Sequence, residues 1–389
     1  MQIPSYRYQQ LFKYRNQLLK DNFQGSAPNV FVGRFNYPNI NVGILSPPER
    51  LENIWEFDNP RHWAVSNYDI EKIIDFRSAL VNSRFQSNVR TQNRFLDISK
   101  EVGMASKAVD IEINLEEKPF FRLNTGRWMA PTGPRARLKN ARLTENPKVP
   151  TKVERVVGDT DLKATDGMYY LYQKGLDETY LTKLLSIGTL GTKANRKLVP
   201  TRWSITATDD TLGKKLIEEV KEYPESDYMA FFGGYLGNFY VILLFPGVWG
   251  YELFETYAKQ NNPAKPKIWT DHEFYGGRKA YADSTVGGYY ANRLPILEKL
   301  NLIKRQAAVV SLRFVTDDYY LPLGVWVVRE STRKTMNNKP IAFSSKELML
   351  DYVRKLVKKK FSYNADYLLS QSKLLRHMRY QTTLKAFLP

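Results

Sequence analysis

The sequence predicts an α+β fold: a central antiparallel or mixed sheet flanked by helices, followed by a flexible C-terminal tail. Three observations predict it. Tyr228–Tyr235 and Asn238–Phe245 read as a buried hairpin turning at Gly237-Asn238, and Ala307–Val315 reads as an apolar strand. Amphipathic helices surround them, as at Asp69–Ser83, with Ile70, Ile73, Ile74, Leu80 and Val81 inward. The strands are spaced too irregularly for a doubly wound parallel sheet.

The 389 residues suit two domains, or one large domain with insertions. The expected divisions are an N-terminal α/β region over 1–150, ending in a basic Pro/Gly-rich loop, and an α+β core over 151–330. A basic helical segment, 331–380, and a terminal peptide, 381–389, follow.

Residues 1–20 read as a short helix with Tyr8, Leu11 and Phe12 on one side. Val30–Val32 and Ile40–Ile44 read as short strands around a turn of Asn36, Tyr37 and Pro38. Gly33 and Gly43 would let a ligand or another chain approach the backbone; an ordinary hairpin is the plainer reading. Arg77, Arg84, Arg90 and Arg94 could line a phosphate-facing side, or form a solvated or salt-bridged face. Val109–Leu115 alternates like a strand. Residues 122–152 are broken by Gly and Pro and read as irregular.

In the second half, Asp177–Ile187 reads as a helix ending at Gly188. Leu198–Asp210 reads as a strand running into a helix over Thr211–Tyr223, with Asp209 or Asp210 as its N-cap. Glu252 and Glu255 read as the start of a helix, and Leu323–Val328 as a strand. Ser344 with Glu347 forms a capping box opening the last long helix, whose inner stripe is Leu348, Tyr352 and Leu356.

Net charge is +18 and the pI near 9.6, a field that attracts polyanions such as nucleic acid. The charge is uneven: residues 331–380 carry 12 Lys/Arg against 3 Asp/Glu. Between 122 and 152, Arg122, Arg127, Arg135, Arg137, Lys139, Arg142 and Lys148 face the single acid Glu145, with Trp128 among them. Basic side chains with an interleaved aromatic suit a nucleic-acid backbone; a charged surface linker is the alternative. The candidate nucleic-acid contacts are Arg127, Arg135, Arg137, Lys139 and Arg142, with Lys358, Lys359 and Lys360 on the last helix.

The chain has no Cys, which excludes disulfides, thiolate zinc sites, iron–sulfur clusters and Cys nucleophiles, and it has only three His. A carboxylate Mg²⁺ site stays open. Met1–Lys20 is polar and the longest apolar run, Phe239–Trp249, is too short to span a bilayer, so a cytoplasmic protein without membrane contact is expected. Asp209, Asp210, Asp271, Glu273 and Asp283 are the carboxylates that could serve acid–base or metal chemistry. Gly276-Gly277 and Gly287-Gly288 stand beside Arg and Lys, but no P-loop or G-x-G-x-x-G pattern is present.

The last nine residues carry Gln381, Leu384, Phe387 and Leu388. On one 3₁₀ turn Leu384 and Phe387 eclipse and Leu388 lies beside them, forming a small apolar plug. The pattern resembles the peptide by which replication and repair proteins dock on the sliding clamp PCNA. A tail folded back on the core is the alternative.

Several segments in collinear order, Ser26–Pro48, Leu198–Asp210, Phe239–Phe254, Trp269–Leu297 and Pro322–Glu330, together with the tail, resemble the archaeal Nre family of DNA-repair proteins. The resemblance implies DNA damage repair and docking on PCNA through Gln381, Leu384, Phe387 and Leu388. Family members often carry a Cys-based zinc-finger-like segment near the N-terminus, which a Cys-free chain lacks. No catalytic residues carry over. The alternative is a nucleic-acid-processing enzyme, a nuclease or glycosylase, using the carboxylates above.

Overall fold

The computed structural model describes residues 19–120, 133–259 and 266–380. They belong to two compact units. The first runs to residue 212 and takes in 320–324; the second comprises 213–319 and the chain from 325 onward. The expected N-terminal helix, Arg127, Trp128 and the tail peptide lie outside the described residues.

The first unit is built on β1 (Asn22–Ala27), β2 (Asn29–Val32), β3 (Asn39–Ser46), β4 (Val81–Asn88), β5 (Val109–Leu115) and β6 (Arg135–Leu143). Their spatial order is β1-β5-β6-β4-β3-β2. The two edge strands are successive stretches of chain, broken only at Pro28, so the sheet closes on itself. Proline has no N–H for the ladder, and the strand changes partner there: β1 pairs with β5, β2 with β3, both antiparallel. β3 pairs antiparallel with β4, β4 parallel with β6, and β6 antiparallel with β5.

With β1–β2 counted as one strand, this is a five-stranded barrel of order 1-2-3-5-4-1. Helices α1 (Pro60–Val65) and α2 (Ile70–Ala79) are inserted after β3, and α3 (Arg94–Met104) lies between β4 and β5. That order, with a helix between the third and fourth strands, is the connectivity of the OB-fold.

The alternation of β5 shows why the barrel fills. Val109, Ile111, Ile113 and Leu115 are buried while Asp110, Glu112 and Asn114 face outward. Val32, Ile40, Val42, Ile44, Phe85 and Leu138 join them, as do Leu96 and Val102 of α3. Asn93 caps α3 by accepting from Leu96 N at 3.0 Å. Three helices follow, α4 (Thr151–Gly158), α5 (Ala164–Gln173) and α6 (Glu178–Ser186), and α7 (Thr201–Val220) passes from the first unit into the second.

The second unit holds a mixed sheet of β7 (Tyr228–Tyr235), β8 (Asn238–Phe245), β9 (Gly250–Tyr257), β10 (Ile268–Glu273), β11 (Ala308–Val315) and β12 (Ile341–Phe343), in the order β10-β9-β11-β8-β7-β12. β11 runs antiparallel to β8 and parallel to β9. Helices α8 (Gly287–Ile303) and α9 (Trp326–Asn337) cover one face; α10 (Lys346–Phe361), α11 (Asp366–Leu369) and α12 (Lys373–Tyr380) cover the other. A sheet covered on both faces needs apolar residues at every position, and Tyr240–Phe245 is buried throughout.

The α+β class, the β7–β8 hairpin, β5, β11 and the α6 helix agree with expectation. Other segments differ. The helix expected over Asp69–Ser83 ends at Ala79, and Val81–Ser83 begin β4 instead. Leu198–Asp210 is not a strand: it leads into α7, and Asp209 lies inside that helix rather than at its cap. Ser204, Thr208, Leu212, Leu216 and Val220, four apart, are all buried, a helical stripe whose first two members are polar and therefore hid the period. Residues 250–257 form β9, not a helix; its Glu252 and Glu255 are held by partners from other elements. Residues 323–328 lead into α9. Residues 135–143 are a strand, because Ala136, Leu138 and Ala141 face the barrel core. At α10 the cap is Ser345, which accepts from Leu348 N, and Met349, Val353 and Val357 form the buried stripe while Leu348 is exposed.

Candidate nucleic-acid interface

The outer face of the barrel carries the basic residues. The pairing register aligns Phe31 of β2, Gly43 of β3, Arg84 of β4 and Arg137 of β6 in one row. Asn82 and Arg135 lie one row over. Gly43 leaves room for the Asn82 amide, which a Cβ there would displace. A groove of about 270 Å³ runs over this face, lined by Asn41, Arg84, Gln86, Phe120, Arg135 and Arg137, with Glu117 at its wall.

Arg84 and Arg135 have no acidic partner among the described residues. Burial first, and the Arg135 charge second, lower the Arg84 pKa. The guanidinium still stays charged in a protein, so two unneutralised cations sit together in a half-buried groove. An anion bound between them would relieve that repulsion. Arg135 also stands 5.8 Å from the centre of the Phe120 ring. Arg137 reaches Glu116 at 3.4 Å, but both are exposed and such a pair is worth only about 0–1 kcal/mol.

At one end of the groove stands the β2–β3 hairpin tip. Phe35 is 67% exposed, Tyr37 41% and Trp203, at the start of α7, 45%. Tyr37 and Trp203 rings touch, with centroids 5.2 Å apart, and Arg34 lies 5.2 Å from the Phe35 ring. The tip is fixed at several points. Gly33 N donates to Asn41 O at 2.8 Å, Val89 N to Pro38 O at 3.0 Å, and Val32 N to Thr201 Oγ1 at 2.9 Å. Neither Asn29–Ser46 nor Val81–Arg90 contains an acidic residue.

A model of the archaeal Nre N-terminal domain matches residues 5–262, and one of the Nre C-terminal domain matches 273–387. The chain belongs to the archaeal Nre family. It is 40% identical to DNA repair protein NreA of Haloferax volcanii over 80% of this chain and 77% of the relative. It is 36% identical to DNA repair protein NreB of Archaeoglobus fulgidus, over 86% and 85% of the two chains. DNA repair protein NreA of the same organism is 35% identical, over 88% and 86%. No solved structure matches the chain.

In this Nre chain the basic residues singled out by sequence divide three ways. Arg135 and Arg137 enter the groove. Lys139 is exposed beside a β-bulge, and Arg142 faces Glu112 at 3.8 Å. Lys358, Lys359 and Lys360 occupy the last turn of α10, where cations also favour the helix dipole. Sequence reasoning named Arg84 only as one of a run of arginines and did not single out Phe120, Phe35 or Trp203. An aromatic-rich run without acids was the signal that could have found the tip.

The carboxylates have mostly structural work. Asp271 Oδ2 accepts from Ser284 N at 3.1 Å, Thr285 N at 2.7 Å and Thr285 Oγ1 at 2.8 Å, and Oδ1 pairs with Arg278 at 2.9 Å. Glu273 accepts from Trp249 Nε1 at 3.2 Å and from Arg293 Nη1 at 2.8 Å, fully buried. Glu255 pairs with Arg313 at 2.6 Å and lies in the space that Gly288 leaves open. Asp209 is buried within α7, Asp210 half-buried and Asp283 exposed. Among the described residues no three His, Asp or Glu side chains come together to hold a metal ion, and no helix is long and apolar enough to cross a membrane.

Proposed function

We propose that this Nre-family chain acts in DNA repair by holding DNA electrostatically along the barrel groove while its C-terminal peptide docks on the sliding clamp PCNA. The observation that carries the DNA reading is the juxtaposition of Arg84, Arg135 and Arg137 on a sheet face where Arg84 and Arg135 have no acidic partner among the described residues and where Asn29–Ser46 and Val81–Arg90 contain no acid. Kinship with proteins named for DNA repair supports the setting. The clamp reading rests on Gln381, Leu384, Phe387 and Leu388.

The base of the tail is well anchored. Buried Glu252 on β9 accepts from Ser372 Oγ, Lys373 N at 3.0 Å and Leu374 N at 3.1 Å. It thereby closes the N-terminus of α12, whose Leu374 and Leu375 join the core. Nine residues reach roughly 30 Å at most from the end of α12, so a docked tail would keep the body close to DNA at the clamp and raise its effective concentration there.

Two substitutions test the halves separately. Arg84→Ala with Arg137→Ala weakens DNA binding and leaves clamp capture intact; Phe387→Ala abolishes clamp capture and leaves DNA binding intact. Full clamp affinity in the Phe387→Ala protein would remove the docking half.

A further inference from the structure

We propose that the barrel binds single-stranded DNA, with phosphates on the arginine groove and unpaired bases stacked on the aromatic β2–β3 hairpin tip. The proposal rests on the DNA-binding reading above and adds to it the form of the DNA and the residues that select it.

Three independent features lead there. The first is connectivity. In a barrel of this order, oligonucleotides lie across the second and third strands, between the loops joining strands one to two and four to five. Here those strands are β3 and β4, the first loop is Gly33–Pro38, and the second connection joins β5 to β6 and is described at residues 116–120 and 133–134. The groove is lined by Asn41 of β3, Arg84 and Gln86 of β4, Phe120 just after β5 and Arg135 and Arg137 of the fifth strand. It lies on that face.

The second feature is the aromatic content of the first loop. Phe35 and Tyr37 stand in water on a loop of six residues, Trp203 supports Tyr37 from the side, and Phe31 begins the row that continues through Gly43 to Arg84. In duplex DNA the base faces are covered by their neighbours, whereas an unpaired base offers both faces to a ring. Exposed rings beside phosphate-binding arginines therefore favour the unpaired form. The hydrogen bonds at Gly33, Pro38 and Val32 hold the tip in place before binding, so little ordering is needed when a base arrives.

The third feature is charge. Arg84, Arg135 and Arg137 lie on β4 and β6, Arg34 and Arg202 on the elements bearing the rings, and Arg90 just beyond β4. Glu116 and Glu117 are the acids at the groove. A neutral oligosaccharide would gain nothing from that excess of cations; a polyanion with exposed π-faces gains from both cations and rings.

The test uses the full chain and fluorescently labelled oligothymidylate of about 15 nucleotides, within the reach of one such barrel, beside a duplex of equal length. Anisotropy titrations compare wild type, Phe35→Ala/Tyr37→Ala and Arg84→Ala/Arg137→Ala, with thermal melts confirming that each variant folds. The expected result is tighter binding of the single strand by wild type. The aromatic variant should lose about tenfold or more on the single strand and little on the duplex, and the arginine variant should lose affinity for both. If the arginine variant loses binding but the aromatic variant matches wild type on the single strand, the stacking proposal falls and the DNA reading stands. If wild type binds neither DNA at low salt, both fall. Tenfold tighter binding of oligouridylate than of oligothymidylate would overturn the assignment to DNA.

Discussion

Glu252 shows how a single buried carboxylate ties two distant elements together. Burial raises its pKa, while the hydrogen bonds from Ser372, Lys373 and Leu374 pull the other way. The folded protein therefore binds this proton more readily than the unfolded chain does. The group's contribution to stability is fully present below the ordinary carboxylate range, near 4.3, and is lost as pH rises through its raised value. Glu252→Gln should remove that dependence, so the stability difference between wild type and variant should change with pH between acid and neutral conditions, as denaturant midpoints would show. Glu252→Ala leaves three donors unsatisfied and should cost about 2 kcal/mol or more. Glu273 and Arg293 make a harsher case. Removing either partner strands a buried charge, and unfolding measurements on Glu273→Ala should show a loss of about 3–5 kcal/mol. A Glu273→Ala protein of native stability would reopen a catalytic role for that carboxylate. These roles were not legible in the sequence, where Glu252 and Glu273 look like any other acids; their partners lie 20 or more residues away and meet them only through the fold.

At the scale of the element, the segments that the sequence reveals are those whose local pattern and tertiary setting agree. The β7–β8 hairpin is bounded by apolar strands and a Leu236-Gly237 turn with positive φ at both positions; its two strands were legible, while the turn lies one residue before the expected Gly237-Asn238. α7 was not, because Ile205, Thr206 and Thr208 favour a strand on propensity alone while packing buries every fourth side chain. β6 was hidden by basic residues at most outward positions and by the Gly and Pro before it. The hairpin tip of the candidate interface is the reverse case: its turn was legible, its exposed rings were not. Gly43→Ala should destabilise the barrel by about 1–3 kcal/mol, because the added methyl meets the buried Asn82. Phe35→Ala, by contrast, removes a ring already in water and should leave the melting temperature within about a degree or two of wild type. Calorimetry on the two variants separates a structural glycine from an aromatic side chain kept free of the core.

For the molecule as a whole, composition carried the polyanion reading and the collinear segments carried the family, but the barrel was invisible. Its closure depends on Pro28 dividing one strand between two partners, and on β1 meeting β5 more than eighty residues later. No local period records such a pairing. The barrel turns a scattered set of arginines, Arg84, Arg135 and Arg137, into one groove, and so joins the charge to a place. Deleting residues 381–389 should abolish capture by immobilised clamp and leave DNA affinity of the isolated protein unchanged, which separates localisation from DNA contact. The most direct measurement of the central claim is the salt dependence of DNA affinity for wild type and for Arg84→Ala/Arg137→Ala. Phosphate contacts release counterions, so the slope of log affinity against log salt should be shallower in the double variant by roughly 1.5–2. An unchanged slope would contradict the account, because DNA would then be held somewhere other than the barrel groove.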